Sequence, residues 1–157
     1  YSKSECLIAQ NLYPFHSRTI SIGGGGTITP LTWLNIVITS GYAWNVSSID
    51  AINNNSSQTV RTATQRIKFN VFVTKQFTFT TTIEGNYNNL TEKNRHTWFG
   101  DILFKYKLKH IELDLQANNL FNQHQYTRVN YSGLDIYSST SQLRPLNIVG
   151  TIRFKIL

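Results

Sequence analysis

The sequence predicts an all-β protein: an antiparallel up-and-down sheet of about seven or eight strands forming a transmembrane β-barrel segment. Three observations carry that expectation. Apolar residues recur at every second position through most of the chain, which is the period of a strand with two unlike faces. Short and long connections alternate between these stretches. The 157 residues are 40% apolar and 13% aromatic but only 15% charged, and the remainder is rich in Thr, Ser, Asn and Gly, which favour strands and turns over helices.

Taken in order, the first apolar row is Ile20, Ile22 and Ile28, interrupted by Gly23 to Gly26. The second is Leu34, Ile36, Ile38, Tyr42, Trp44 and Val46. Ile67, Phe69, Val71 and Val73 form a third. A fourth comprises Phe77, Phe79, Ile83 and Tyr87, opposite Thr78, Thr80, Thr82, Glu84 and Asn86. Trp98, Gly100, Ile102, Phe104, Tyr106 and Leu108 stand against Asp101, Lys105 and Lys107. The strictest alternation sets Ile111, Leu113, Leu115 and Ala117 against Glu112, Asp114, Gln116 and Asn118. The last row is Leu146, Ile148, Ile152, Phe154 and Ile156, opposite Asn147, Thr151, Arg153 and Lys155. Several of these stretches run to about 10–15 residues, longer than the usual soluble strand and suited to a tilted membrane crossing.

Short turns are expected near Thr29-Pro30-Leu31, Thr74-Lys75-Gln76 and Leu108-Lys109. Long polar loops are expected near Ser47 to Gln58, Asn88 to Asn94 and Ser132 to Gln142. No composition break or linker divides the chain, so residues 1–157 read as a single barrel segment.

Two features place the apolar face against lipid rather than in a closed core. Aromatics gather near strand ends, with Trp44 and Trp98 by the long loops and Trp33 and Phe77 by the short turns, as in the girdles of outer-membrane barrels. The polar faces carry charges of both signs in mid-strand, which a wet lumen tolerates and an apolar core does not. The expected lipid-facing residues are Ile102, Phe104, Ile111, Leu113, Leu115, Ile152 and Phe154. Turn arithmetic also pairs charges on the inner face. A two-residue turn at Leu108-Lys109 sets Lys105 opposite Glu112, and a three-residue turn from Thr74 to Gln76 sets Arg66 opposite Glu84.

Other functions find little support. The formal net charge is +7, from 15 Lys+Arg and 8 Asp+Glu, but the cations are scattered. The densest group, Lys105, Lys107, Lys109 and His110, alternates with apolar residues as a solvated strand face would, so no nucleic-acid partner is expected. Gly23-Gly24-Gly25-Gly26-Thr27 lacks the Gly-Lys-Ser/Thr ending of a phosphate loop and no helical segment follows it. The four histidines, His16, His96, His110 and His124, share no metal-ligand spacing, and the single Cys6 has no disulfide partner. No cofactor, metal or catalytic residue is expected, and no run of roughly 18 apolar residues forms a membrane helix.

Asn118-Asn119-Leu120-Phe121-Asn122, followed by Tyr126, resembles the Asn-Leu-Phe-Asn/Asp plus Tyr motif of TonB-dependent receptors, particularly the Bacteroidetes-type outer-membrane barrel proteins. The order around it is similar too. Tyr106-Lys107-Leu108-Lys109 leads through a turn into Ile111-Glu112-Leu113, then the motif, a loop, Leu143-Arg144-Pro145 and a closing strand ending Arg153-Phe154-Lys155. The likeness extends from about Arg61 to Leu157. The family usually finishes on an aromatic residue, where this chain has Ile156-Leu157.

The resemblance implies the C-terminal part of a 22-stranded barrel in the bacterial outer membrane, with the plug lying outside this segment. It implies uptake of a large scarce nutrient such as a siderophore, glycan or peptide, with outer-membrane lipid, the barrel-assembly machinery and, through the plug, the TonB complex as partners. It makes the motif structural, with asparagine side chains bonding the backbone where Leu120 interrupts the alternation, as at a bulge. It also places the closing strand's end in the periplasm. The long loops bearing Asn53, Asn54, Asn55, Glu92 and Lys93 are then extracellular. Two alternatives remain at this stage: a free-standing eight-stranded outer-membrane barrel, and a soluble ligand-binding β-barrel.

Overall fold

A computed structural model of the chain describes residues 1–8, 10–51, 54–91, 95–132 and 135–154. Ten strands are present among them: β1 (Ser2–Ile8), β2 (Asn11–Leu31), β3 (Leu34–Ala51), β4 (Asn54–Phe72), β5 (Phe77–Asn88), β6 (His96–Lys107), β7 (Ile111–Asn118), β8 (Gln125–Ser132), β9 (Asp135–Gln142) and β10 (Asn147–Phe154). Eight make one antiparallel sheet in the order β1-β2-β3-β4-β5-β6-β7-β10, while β8 and β9 form a separate hairpin. The sheet is open, with β1 and β10 at its edges. β1 pairs only with Asn11–Ser17, so β2 from Arg18 onward has no described partner on its outer edge.

The register gathers all seven apolar rows on one face. Partner residues share a face, and the ladder runs Tyr42↔Ala63↔Tyr87↔His96 near one end of the sheet. Toward the other end, Ile36 pairs Phe69, Val71 pairs Phe79, Phe79 pairs Phe104, Phe104 pairs Leu115 and Leu115 pairs Gly150. Ser40↔Gln65 interrupts the apolar rows between these two zones.

That apolar face is bare. Ile22 is 72% exposed, Ile152 61% and Leu115 50%. Among the described residues only Val60 and Val129 are buried apolar side chains. The accessible surface is 11396 Å², against about 8,000 Å² for a compact protein of this mass. The polar face is the more enclosed one, with Ser47 and Thr97 buried on it. Gly23 and Gly25 also point to that side, where a Cβ on Gly25 would sit 2.8 Å from the Ile38 carbonyl oxygen. Two strands therefore approach there more closely than any side chain would allow.

Several local expectations need correction. The turn after β2 lies at Thr32-Trp33 rather than Thr29-Pro30-Leu31, and the register shifts between Ile28 and Leu31. Ser47–Gln58 is mostly strand, since Ser47 pairs with Gln58 itself and only 52–53 stand between β3 and β4. Of the expected loop at Ser132–Gln142, Ser132 ends β8 and Asp135–Gln142 is β9. Asn and Ser favour turns in isolation, but a ladder already 18 to 21 residues long keeps adding cross-strand bonds, and context overrides propensity. Asn54 and Asn55 fall in β4, whereas Asn53, Glu92, Lys93, Lys155 and Ile156 lie outside the described residues.

Candidate functional site

Three constellations occupy the sheet and its margins: a charge cluster near the short turns, a clasp formed by the asparagine motif, and a basic pocket under the β8–β9 hairpin.

The charge cluster joins β6, β7 and β10. Lys105 Nζ lies 3.1 Å from Glu112 Oε1 and 3.9 Å from Asp114 Oδ2. Arg153 Nη1 lies 2.8 Å from each of Glu112 Oε1 and Asp114 Oδ2. The expected register is wrong by two residues. Lys105 stands opposite Asp114, and it is Lys107 that stands opposite Glu112. The two-residue turn is Lys109-His110, one residue later than expected, and is closed by Leu108 N–H donating to the Ile111 carbonyl at 2.7 Å. A two-residue slip preserves the face, so Lys105 still reaches Glu112 diagonally. Arg66 is the register partner of Glu84, and the Glu84 carboxylate accepts a 3.0 Å bond from Asn86 Nδ2.

The motif forms no bulge. Asn119 and Asn122 adopt φ of 58° and 51°, the left-handed conformation that asparagine tolerates better than most residues. They turn the chain out of β7. Asn119 N–H donates to Asp101 Oδ1 at 2.9 Å, and its Nδ2 donates to the Gln123 and Arg144 carbonyls at 2.8 Å each. Its Oδ1 accepts from Gln123 N–H at 2.9 Å. Asn122 Oδ1 accepts from Leu146 N–H at 3.1 Å, and Asn118 Nδ2 donates to Asn147 Oδ1 at 2.9 Å. The segments entering and leaving the β8–β9 hairpin are thus bound together. Leu120 N–H donates to the Gly100 carbonyl at 2.8 Å, and Phe121 lies against Gly100, where a Cβ would meet its ring at 2.8 Å. Tyr126 packs edge-on against Phe99 at 5.7 Å, which brings the hairpin's base onto the polar face.

Above that base, a pocket of about 330 Å³ opens between the hairpin and the polar face of β4, β5 and β6. Thr62, Thr64, Asn86 and Thr97 line the sheet side, with Arg95 beside β6 and Arg128 on the hairpin. Sequence reasoning missed this arrangement because it read the hairpin as loop. The available signal was the alternation of Val129 and Tyr131, then Ile136, around a Ser132-Gly133 turn pair.

On the opposite, apolar face, aromatic groups cluster near the short turns, where the Phe79 and Phe104 rings are 5.0 Å apart and those of Phe77 and Tyr106 6.4 Å. A second group lies toward the other end, where Tyr87 and His96 rings are 4.8 Å apart and Trp98 covers Gly85. Comparison of the chain with models of protein families, with curated proteins and with solved structures finds no match.

Proposed function

We propose that this chain is part of an outer-membrane TonB-dependent receptor that takes up a large scarce nutrient. The observation that carries the reading is the bare apolar face, set against an enclosed polar face bearing charges of both signs. A soluble barrel would have the reverse arrangement, with apolar side chains packed inside. The aromatic groups support it by their spacing. Phe77 and Tyr87 are ten residues apart on one face of β5, or about 33 Å along a strand. Tilted by about 40°, that is about 25 Å, the height of a lipid-facing band. Between them on the same face, Thr81 donates its hydroxyl to the Asp101 carbonyl at 3.2 Å, so it presents no unmet donor to lipid.

The receptor reading goes further than the membrane reading and rests on the Asn118–Tyr126 motif together with the open edges of the sheet. A free-standing eight-stranded barrel would close β10 onto β1, whereas β1 and β10 stand at opposite ends of the sheet order and no pairing joins them among the described residues. Further strands on both edges fit a larger barrel. The test uses the full-length protein in its native cell. It is expected in the outer-membrane fraction, with a gel mobility that changes on boiling, and its substrate uptake is expected to stop when TonB is deleted. Recovery in the soluble fraction would refute the membrane reading. Outer-membrane recovery with TonB-independent uptake would refute the receptor reading alone.

A further inference from the structure

We propose that the pocket between the β8–β9 hairpin and the polar face binds a polar ligand bearing an oxoanion, a carboxylate or sulfate group held between Arg95 and Arg128. This goes beyond the receptor reading, since it requires only that the hairpin dock on the sheet.

Arg95 and Arg128 lie apart from the paired cations of the β6–β7–β10 cluster. Lys105 and Arg153 are neutralised by Glu112 and Asp114. Arg95 and Arg128 border one enclosure, and no carboxylate lines it among the described residues. Two arginines bordering one space raise its positive potential, which favours an anion there. Guanidinium is also the side chain best matched to planar or tetrahedral oxoanions, because its fork donates two parallel bonds. On the sheet side, Thr62 and Thr64 add hydroxyl groups that can both donate and accept, as the hydroxyls of a polar ligand require. The volume of about 330 Å³ lies at the small end of ligand sites and fits one sugar-sized unit.

Asn88 holds the two cationic walls in place. Its N–H donates to the Arg95 carbonyl at 3.0 Å, and its Nδ2 donates to the Val129 carbonyl, next to Arg128, at 3.3 Å. Its own conformation is fixed by Leu90 N–H donating to its Oδ1 at 2.9 Å and by Thr91 Oγ1 donating to its carbonyl at 2.8 Å. One residue thereby ties the β5 end, the start of β6 and the hairpin together. Asn88 is a positioning residue.

The test is equilibrium dialysis of the full-length protein in detergent micelles at low ionic strength, with radiolabelled glucuronate and glucose as probes and sodium sulfate as competitor. Glucuronate should be retained and displaced by sulfate, and glucose should not be retained. Arg95→Gln and Arg128→Gln should each weaken glucuronate retention about tenfold, the loss of one charge-assisted bond. Lys68→Gln, on the same polar face but outside the pocket, should leave it unchanged. Boiling-dependent gel mobility of each variant verifies its fold. No retention of glucuronate up to about 10 mM, a range that covers weak sites, would overturn the proposal. So would equal retention of glucose, or an effect of Lys68→Gln equal to that of Arg128→Gln. The membrane reading is scored separately, by fractionation and mobility.

Discussion

Asn119 concentrates more structure in one side chain than any other residue of the motif. It spans Gln123 and Arg144 with three side-chain bonds and holds a φ of 58°. Asn119→Ala is expected to destabilise the full-length protein by about 2–4 kcal/mol, from the lost bonds and the strain of a Cβ residue in that conformation. Urea unfolding in detergent measures it, and Asn119→Gly, which keeps the backbone freedom, should lose less. Two glycines give opposite expectations. Gly100→Ala drives a Cβ into the Phe121 ring at 2.8 Å and should cost about 1–3 kcal/mol by overpacking. Gly24 has nothing within 4 Å of its would-be Cβ, so Gly24→Ala should be neutral or stabilising by about 0.5 kcal/mol. The motif was legible as a sequence pattern, but its role was not. A bulge and a left-handed turn both interrupt alternation, and only the partners of Asn119 and Asn122 tell them apart.

Strands were legible where alternation is strict and one face is apolar. β5, β6 and β7 lie where Phe77–Tyr87, Trp98–Tyr106 and Ile111–Ala117 put them. Boundaries built on turn chemistry were not, because a ladder extends through Asn- and Ser-rich sequence once its register is set. β1 went unread, since Ser2–Ile8 has no two-residue period. Turn arithmetic pairs Arg66 with Glu84 in agreement with the register, but fails for Lys105, where the two-residue turn is Lys109-His110 rather than Leu108-Lys109. The ion cluster survives that slip because both carboxylates lie on one face of β7. Asp114 Oδ1 is buried without a hydrogen-bond partner, so its other oxygen depends on Arg153 at 2.8 Å and Lys105 at 3.9 Å. Arg153→Ala should therefore destabilise the β7–β10 pair by about 1.5–3 kcal/mol. Chemical denaturation of the full-length protein with hydrogen exchange at β10 measures it, and Arg153→Lys should recover part of the loss.

At the scale of the whole molecule, one sheet with an apolar face and a polar face must find two different environments, and the receptor reading assigns lipid to the first and a wet lumen to the second. Ile102 lies on the apolar face in the middle of β6, between the two aromatic groups. Ile102→Arg should cost about 2–4 kcal/mol if that level is the bilayer midplane, whereas Leu103→Arg, on the polar face, should cost much less. The most direct test is a nitroxide scan of consecutive positions from Asp101 to Lys105, in a Cys6→Ser background, with the full-length protein in lipid vesicles. Collisions with oxygen report lipid contact, and collisions with a water-soluble nickel chelate report aqueous contact. The account predicts oxygen-rich, nickel-poor environments at Ile102 and Phe104 and lower oxygen exposure at Asp101, Leu103 and Lys105, a period of two. Ile102 and Phe104 shielded from both reagents, as in a closed protein core, or an alternation of opposite phase, would contradict it.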